Sequence, residues 1–130
     1  MQVRAALPPD LPVIVRMAER FYETTEYGNW ADFDADTVEA LAANLAANHV
    51  LLVAEHEGEV VGMVGLFVAP FMFNVNKTGA YEVVWWVNPD DRSTGAGSAL
   101  LKAIEPACRA KGCDAIQMVH LSTSPKVAGL

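Results

Sequence analysis

Apolar and polar positions follow one another with two different periods along this chain, and the changes between them divide it into elements. Gln2 to Ala5 reads as a short first strand, ended by Leu7-Pro8-Pro9-Asp10. Proline suits the first turn of a helix, so a helix is expected to begin near Pro9. Leu11, Ile14, Val15, Met17, Ala18, Phe21 and Tyr22 recur at helical spacing and give it one apolar face. Thr24 to Phe33, with Tyr27, Gly28, Asn29 and Trp30, loses the period and reads as a loop. Asp34-Ala35-Asp36-Thr37 then supplies N-cap chemistry for a second helix running to about Asn48. Val50 to Glu55 has the pattern of a buried strand, His56-Glu57-Gly58-Glu59 that of a hairpin turn, and Val60 to Val68 that of the returning strand. Gly62 and Gly65 inside it predict a bend or a close backbone approach. The apolar patch Phe67, Pro70, Phe71, Met72 and Phe73 follows, ahead of an Asn/Lys/Gly turn, and reads as a hydrophobic hairpin, with the lining of a cleft or a dimer contact as the competing roles.

The stretch Tyr81 to Leu101 organises the rest. A run of β-branched and aromatic residues, Val83 to Val87, ends at Asn88-Pro89, and a glycine-containing loop then feeds a helical segment beginning near Ser98. A strand, a loop and a helix N-terminus in succession aim unpaired backbone N–H groups and the positive end of a helix dipole at one spot, which suits a bound phosphate. Gly95 and Gly97 let a ligand approach the loop amides closely, although a tight turn that merely starts a helix has the same composition. Two familiar phosphate loops are excluded. A P-loop needs Gly-Lys-Ser/Thr, which is absent. A dinucleotide fingerprint needs a third small residue where Leu100 stands, and an acid ending the next strand where His120 stands. Ser98 to Lys111 is helical, with Leu100, Leu101, Ile104 and Cys108 on one face and Gly112 as its stop. Pro106 predicts a kink or an early end. Asp114 to His120 reads as a last strand, parallel to the Tyr81 strand through this crossover, and Pro125 as the first turn of another helix.

Arg92-Ser93-Thr94-Gly95-Ala96-Gly97 resembles the cofactor motif of the GNAT superfamily of acyl-CoA N-acyltransferases, Gln/Arg-x-x-Gly-x-Gly/Ala, at every fixed position. The order of elements resembles that family's over nearly the whole chain. The resemblance implies a single α/β domain over residues 1–130, with a mixed central sheet, flanking helices and the final strands missing. It implies acetyl-CoA as cosubstrate, its pyrophosphate on the backbone of Arg92, Ser93, Thr94, Gly95, Ala96, Gly97 and Ser98. Trp86, Val87 and Asn88 would hold the acetyl-pantetheine arm, mainly through their backbone, while core packing is the competing role for the two tryptophans. Family members commonly continue into a helix carrying a tyrosine that protonates the departing thiolate, and then two more strands. Here no tyrosine follows Tyr81, and the sequence ends at Leu130. A strand edge left open in this way is expected to be covered in a homodimer or by further chain.

Acyl transfer to an amine needs a carboxylate, directly or through water, to accept the proton of an alkylammonium whose pKa lies near ~10. Glu82 is the only acid in the Tyr81 to Val87 strand and, by the resemblance, stands where several family members carry their general base. The competing role is a structural salt bridge or a solvent-facing side chain. Strand alternation predicts that Val84 and Trp86 share its face and that Tyr81, Val83 and Trp85 lie opposite. Tyr22, Tyr27 and Trp30 are candidate acceptor contacts, with core packing as the competing role. His49, His56 and His120 stand apart from one another, without a nucleophile or a metal-ligand set, and no nucleophile elbow is present. Direct attack on the thioester is therefore expected.

Composition narrows the partners. Hydrophobic residues make up 52% of the 130 residues, inside the globular range. A net charge of −7 without clustered Lys or Arg argues against a nucleic-acid surface; it is compatible with a cationic acceptor, whether a small molecule or a protein amine, and equally with an acidic surface that serves solubility alone. No apolar run approaches the ~18 residues of a membrane span, and the amino terminus lacks the apolar core of a signal peptide, so a cytoplasmic protein is expected. Cys108 and Cys113 read as reduced thiols, and no metal is expected. Two functions fit: an N-acetyltransferase, or a non-catalytic module of the same fold that binds CoA or serves in assembly. Turnover of acetyl-CoA separates them.

Overall fold

The computed structural model describes residues 1–118. Five strands form one sheet in chain order: β1 (Gln2–Ala5), β2 (Val50–His56), β3 (Glu59–Phe71), β4 (Asn74–Val87) and β5 (Ala115–Gln117). The first four pair antiparallel, whereas β5 runs parallel to β4 because helix α3 (Ala96–Ala110) carries the chain across. Helices α1 (Leu11–Glu23) and α2 (Ala35–Asn48) lie between β1 and β2 in sequence.

Alternation on the central strands sorts the core into two layers. Leu52, Ala54, Val64, Leu66, Ala80 and Val87 meet Leu100, Ile104 and Cys108 of α3 on one face of the sheet. Leu51, Val53, Met63 and Trp86 meet Ile14 and Met17 of α1 and Ala42 and Leu45 of α2 on the other. Packed helices on both faces explain why β2 and the middle of β3 read as unbroken apolar runs. At Gly62, a Cβ would come within 3.0 Å of the Trp86 carbonyl oxygen and 3.2 Å of Leu100 Cδ1. The predicted close approach at that glycine is therefore present, and it seats β3 against both β4 and α3.

Local chemistry sets the boundaries. A 3-10 turn, Pro8–Asp10, precedes α1, so the helix proper starts at Leu11. Asp34 caps α2 by accepting the Thr37 N–H. Glu57 and Gly58 both take positive φ, 53° and 82°, as a two-residue hairpin turn requires. The β3–β4 hairpin is longer than the sequence suggests. Phe71 pairs with Asn74, so the turn is Met72-Phe73, and these side chains stand 81% and 82% exposed at its tip rather than lining a cleft. Gly112, at φ 79°, follows the end of α3. Pro106 does not end that helix early; its exposed position leaves the Lys102 carbonyl open to solvent. The expected strand from Asp114 to His120 is described only as Ala115–Gln117, and His120 and the helix suggested by Pro125 lie outside the described residues.

One buried polar cluster fixes the start of α1. Asp10, 7% exposed, accepts two hydrogen bonds from the Arg4 guanidinium at 2.7 and 2.9 Å and one from the Leu7 N–H at 2.7 Å, while Arg4 also reaches Glu55 at 3.2 Å. The Arg4 hydrogen bonds hold the Asp10 carboxyl below its ordinary 3.8. A depressed folded value means that this stabilisation is complete above the ordinary carboxylate range and is lost as pH falls through the lowered folded value. Asp10→Ala is expected to cost about 2 kcal/mol, since it strands part of a guanidinium charge. Denaturant unfolding at neutral pH checks this, and the gap between mutant and wild type should close at acid pH.

Candidate active site

The loop at the end of β4 joins a 3-10 turn to the start of a long helix. Pro89–Thr94 forms a 3-10 turn, Gly95 takes φ 89°, and α3 begins at Ala96. That positive φ is the reason for a glycine at this point, since a side chain there would strain the backbone. A Cβ placed on Gly95 would meet nothing within 4 Å, so the space beside the loop is open. The first N–H groups of α3, which no helical carbonyl can reach, are presented there together with the positive helix end. Ala96 and Leu100, both 0% exposed, anchor this helix start in the core.

Arg92 has a different task from the one its charge suggests. Its Nε donates to the Val87 carbonyl at 3.0 Å, and its guanidinium carbon lies 5.0 Å from the centre of the Trp86 ring. Trp86 in turn donates from Nε1 to Asn88 Oδ1 at 3.1 Å and meets the edge of Phe21 at 5.8 Å. Thr94 Oγ1 donates to the Asp91 carbonyl, and the Asn88 N–H donates to the Val61 carbonyl at 2.9 Å. The side chains of Arg92 and Thr94 thus brace the loop from within. Ser93 and Ser98 stand exposed on its outside. Arg92→Lys should lower stability by about 1 kcal/mol, because an ammonium cannot make the Nε bond and stack at once. An unchanged denaturation midpoint would contradict this bracing role.

Glu82 lies just past the described pairing of β4 with β5. β5 pairs with β4 over Gly79, Ala80 and Tyr81, and the Thr78 N–H bond to Asp114 Oδ2 at 2.9 Å pins the start of that pairing. Glu82 is the next residue, so among the described residues the β5-facing edge of β4 from Glu82 to Val87 lies beyond the pairing. An extended ligand arm can use such a backbone edge in place of a strand. Glu82 is partly buried, with one carboxylate oxygen enclosed.

The expected face partners of Glu82 are corrected by a β-bulge. Gly65 pairs with Val84 and Leu66 with Glu82, so Val83 is passed over. Residues directly opposite share a face, which puts Glu82 with Leu66 on the α3 side, along with Trp85. Val83, Val84 and Trp86 all belong to the α1/α2 side. Val84 and Trp86 therefore do not share the face of Glu82. The extra residue shifts the alternation by one between the carboxylate and the tryptophans.

The bulge forms the floor of an apolar pocket of about 280 Å³ between the sheet, α1, α2 and the segment joining them. Tyr22 and Tyr27 line it, as does Phe33, whereas Trp30 stands 79% exposed and outside the lining. The Tyr22 hydroxyl donates to the Ala31 carbonyl at 2.5 Å and so holds the connecting segment over the pocket. Phe33, Val38 and Val83 were not candidates on sequence grounds. Their only signal is being apolar next to helix ends and a strand, which core residues share.

The remaining candidates serve structure. His49 Nδ1 accepts the Val68 N–H at 2.9 Å and its ring meets the edge of Phe67. Burial pushes the Cys108 thiol up to about 11, so it stays protonated at neutral pH, and both cysteines are free. Among the described residues, no three His, Cys, Asp or Glu side chains gather as a metal site. No helix among them is long and apolar enough to cross a membrane.

A family model described as acetyltransferase (GNAT) family matches residues 14–128. No curated protein matches the sequence. Solved structures share the fold. One is a predicted acetyltransferase with acetyl-CoA from Clostridium acetobutylicum, 17% identical, covering 98% of this chain and 86% of that one at a TM-score of 0.77. Another is an acetyltransferase of Trypanosoma brucei, 20% identical over 97% of this chain and 87% of that one, TM-score 0.72. A third is an aminoglycoside acetyltransferase from an uncultured soil metagenomic sample in complex with sisomicin, 18% identical over 98% and 82%, TM-score 0.71.

Proposed function

Because this chain belongs to the acetyltransferase (GNAT) family, we propose that it moves an acetyl group from acetyl-CoA to a primary amine by direct attack on the thioester. The observation that carries this reading is the combination of a helix-start loop at Gly95 with a carboxylate, Glu82, on the strand that feeds it, just past the described pairing of β4 with β5. The cosubstrate supplies the acetyl group already activated as a thioester. The residues present fit it: open space lies beside Gly95 at the start of α3, and β4, which carries Glu82, leads directly into that loop.

The loop from Arg92 to Ser98 binds the pyrophosphate through its amides and the helix end. Trp86, Val87 and Asn88 hold the pantetheine arm through their backbone, and the Arg92 brace keeps them in place. The peptide at the bulge, released from the β3 register, donates to the thioester carbonyl oxygen where negative charge develops. Glu82, directly or through one water, takes the proton of the ammonium so that the neutral amine can attack. The C–S bond then breaks, the thiolate of a thiol with pKa near ~8.5 leaves without needing a strong acid, and the second proton, shed by the nitrogen as the amide forms, passes to that thiolate or to water.

The purified protein mixed with acetyl-CoA and a panel of amines should release free thiol, read by a colorimetric reagent, while calorimetry measures CoA binding. CoA bound without turnover of any amine would favour the non-catalytic module. Absence of CoA binding would remove the site assignment itself.

A further inference from the structure

We infer that the acceptor is a small primary amine on an apolar body, such as an arylalkyl or branched alkylamine, seated in the pocket between α1, α2 and the β4 bulge. This rests on the acetyltransfer reading and adds the substrate class. The lining side chains, among them Phe33, Val38, Leu41, Val83 and Val84, are hydrocarbon or aromatic. The hydroxyl of Tyr22 already donates to Ala31, which leaves Tyr27 as the other phenol of the wall. A hydroxyl-rich acceptor entering this space would give up its water without gaining partners, whereas an apolar body loses nothing by leaving water. At about 280 Å³ the space lies at the low end of small-molecule sites and admits one ring or a short branched chain.

Charge specifies the other end of the molecule. The stretch that supplies Tyr22, Tyr27, Phe33 and Val38 to the wall also carries Glu23, Glu26, Asp32, Asp34, Asp36 and Glu39, all exposed, with no Lys or Arg among them. The negative charge of this stretch attracts a cation toward the part of the surface that holds the apolar pocket. The floor, Val83 and Val84, directly follows Glu82 in the strand but on the opposite face, so an amine whose body fills the pocket meets the carboxylate only around the β4 edge, directly or through one water. A likeness to an aminoglycoside acetyltransferase at 18% identity carries the fold and not this wall.

The test compares 2-phenylethylamine and 3-methylbutylamine with ethanolamine and sisomicin, by thiol release at fixed saturating acetyl-CoA. Both apolar amines should exceed ethanolamine in kcat/KM by at least about tenfold, the discrimination a few buried methylenes allow. Ala18→Phe and, separately, Val38→Phe fill the pocket from α1 and α2, and each should raise KM for 2-phenylethylamine by about tenfold or more while leaving acetyl-CoA affinity unchanged. The wild-type comparison decides the matter even if either variant fails to fold. Turnover that favours ethanolamine or sisomicin overturns the substrate class and leaves acetyl transfer standing. Acetyl-CoA binding with no amine turned over removes both.

Discussion

Gly95→Val should abolish CoA binding in a protein that still folds. At φ 89° a β-branched residue is strained by ~1–3 kcal/mol, so the loop will leave its present path. The added carbons also occupy the open space through which a ligand reaches the amides of α3. They clash with nothing in the protein, because a Cβ there meets no atom within 4 Å, so the core anchored by Ala96 and Leu100 should persist. Calorimetry should find CoA affinity reduced by at least about 100-fold, equivalent to ~3 kcal/mol. Circular dichroism and a cooperative melt should remain. Wild-type affinity in the mutant would place the pyrophosphate elsewhere.

Glu82→Gln should leave CoA affinity unchanged and slow acetyl transfer by ~100-fold or more, the usual contribution of a positioned base. Glutamine keeps the size and most hydrogen-bonding capacity of the side chain but cannot accept the proton. Since an alkylammonium titrates near ~10, the deficit should be largest at neutral pH, where the amine is mostly charged, and should shrink as pH rises toward that value. A mutant with the wild-type pH–rate profile would assign the proton to a water chain. Glu55, near the end of β2, is already engaged by Arg4 at 3.2 Å. The bulge makes this experiment informative in a second way. Glu82 faces the α3 side while the pocket lies on the opposite face, so a base at Glu82 would have to reach an amine in that pocket around the edge of β4.

Strand, helix and loop identities were largely legible in the chain because each rests on local chemistry. The helical recurrence from Leu11 to Tyr22, the Asp34 cap, the Glu57-Gly58 turn and the glycine after Thr94 act within a few residues of themselves. The loop motif and the parallel return of the last strand followed from those elements. Arg92 was legible as a member of the motif and not as a brace, because the Val87 carbonyl and the Trp86 ring that it meets are placed by folding the 3-10 turn back on β4. The face of Glu82 was not legible at all. Val83-Val84-Trp85-Trp86 is apolar throughout, so the sequence holds no alternation from which a one-residue slip could be detected. Only pairing with β3, where Gly65 and Leu66 meet Val84 and Glu82, decides that Val83 is the extra residue. The pocket has the same origin. Its wall is drawn from α1, α2, their connection and three strands, and an apolar side chain beside a void has the same composition as one beside a neighbour. The local periods determined which elements form; long-range packing decided which way the carboxylate points and where space is left for an acceptor.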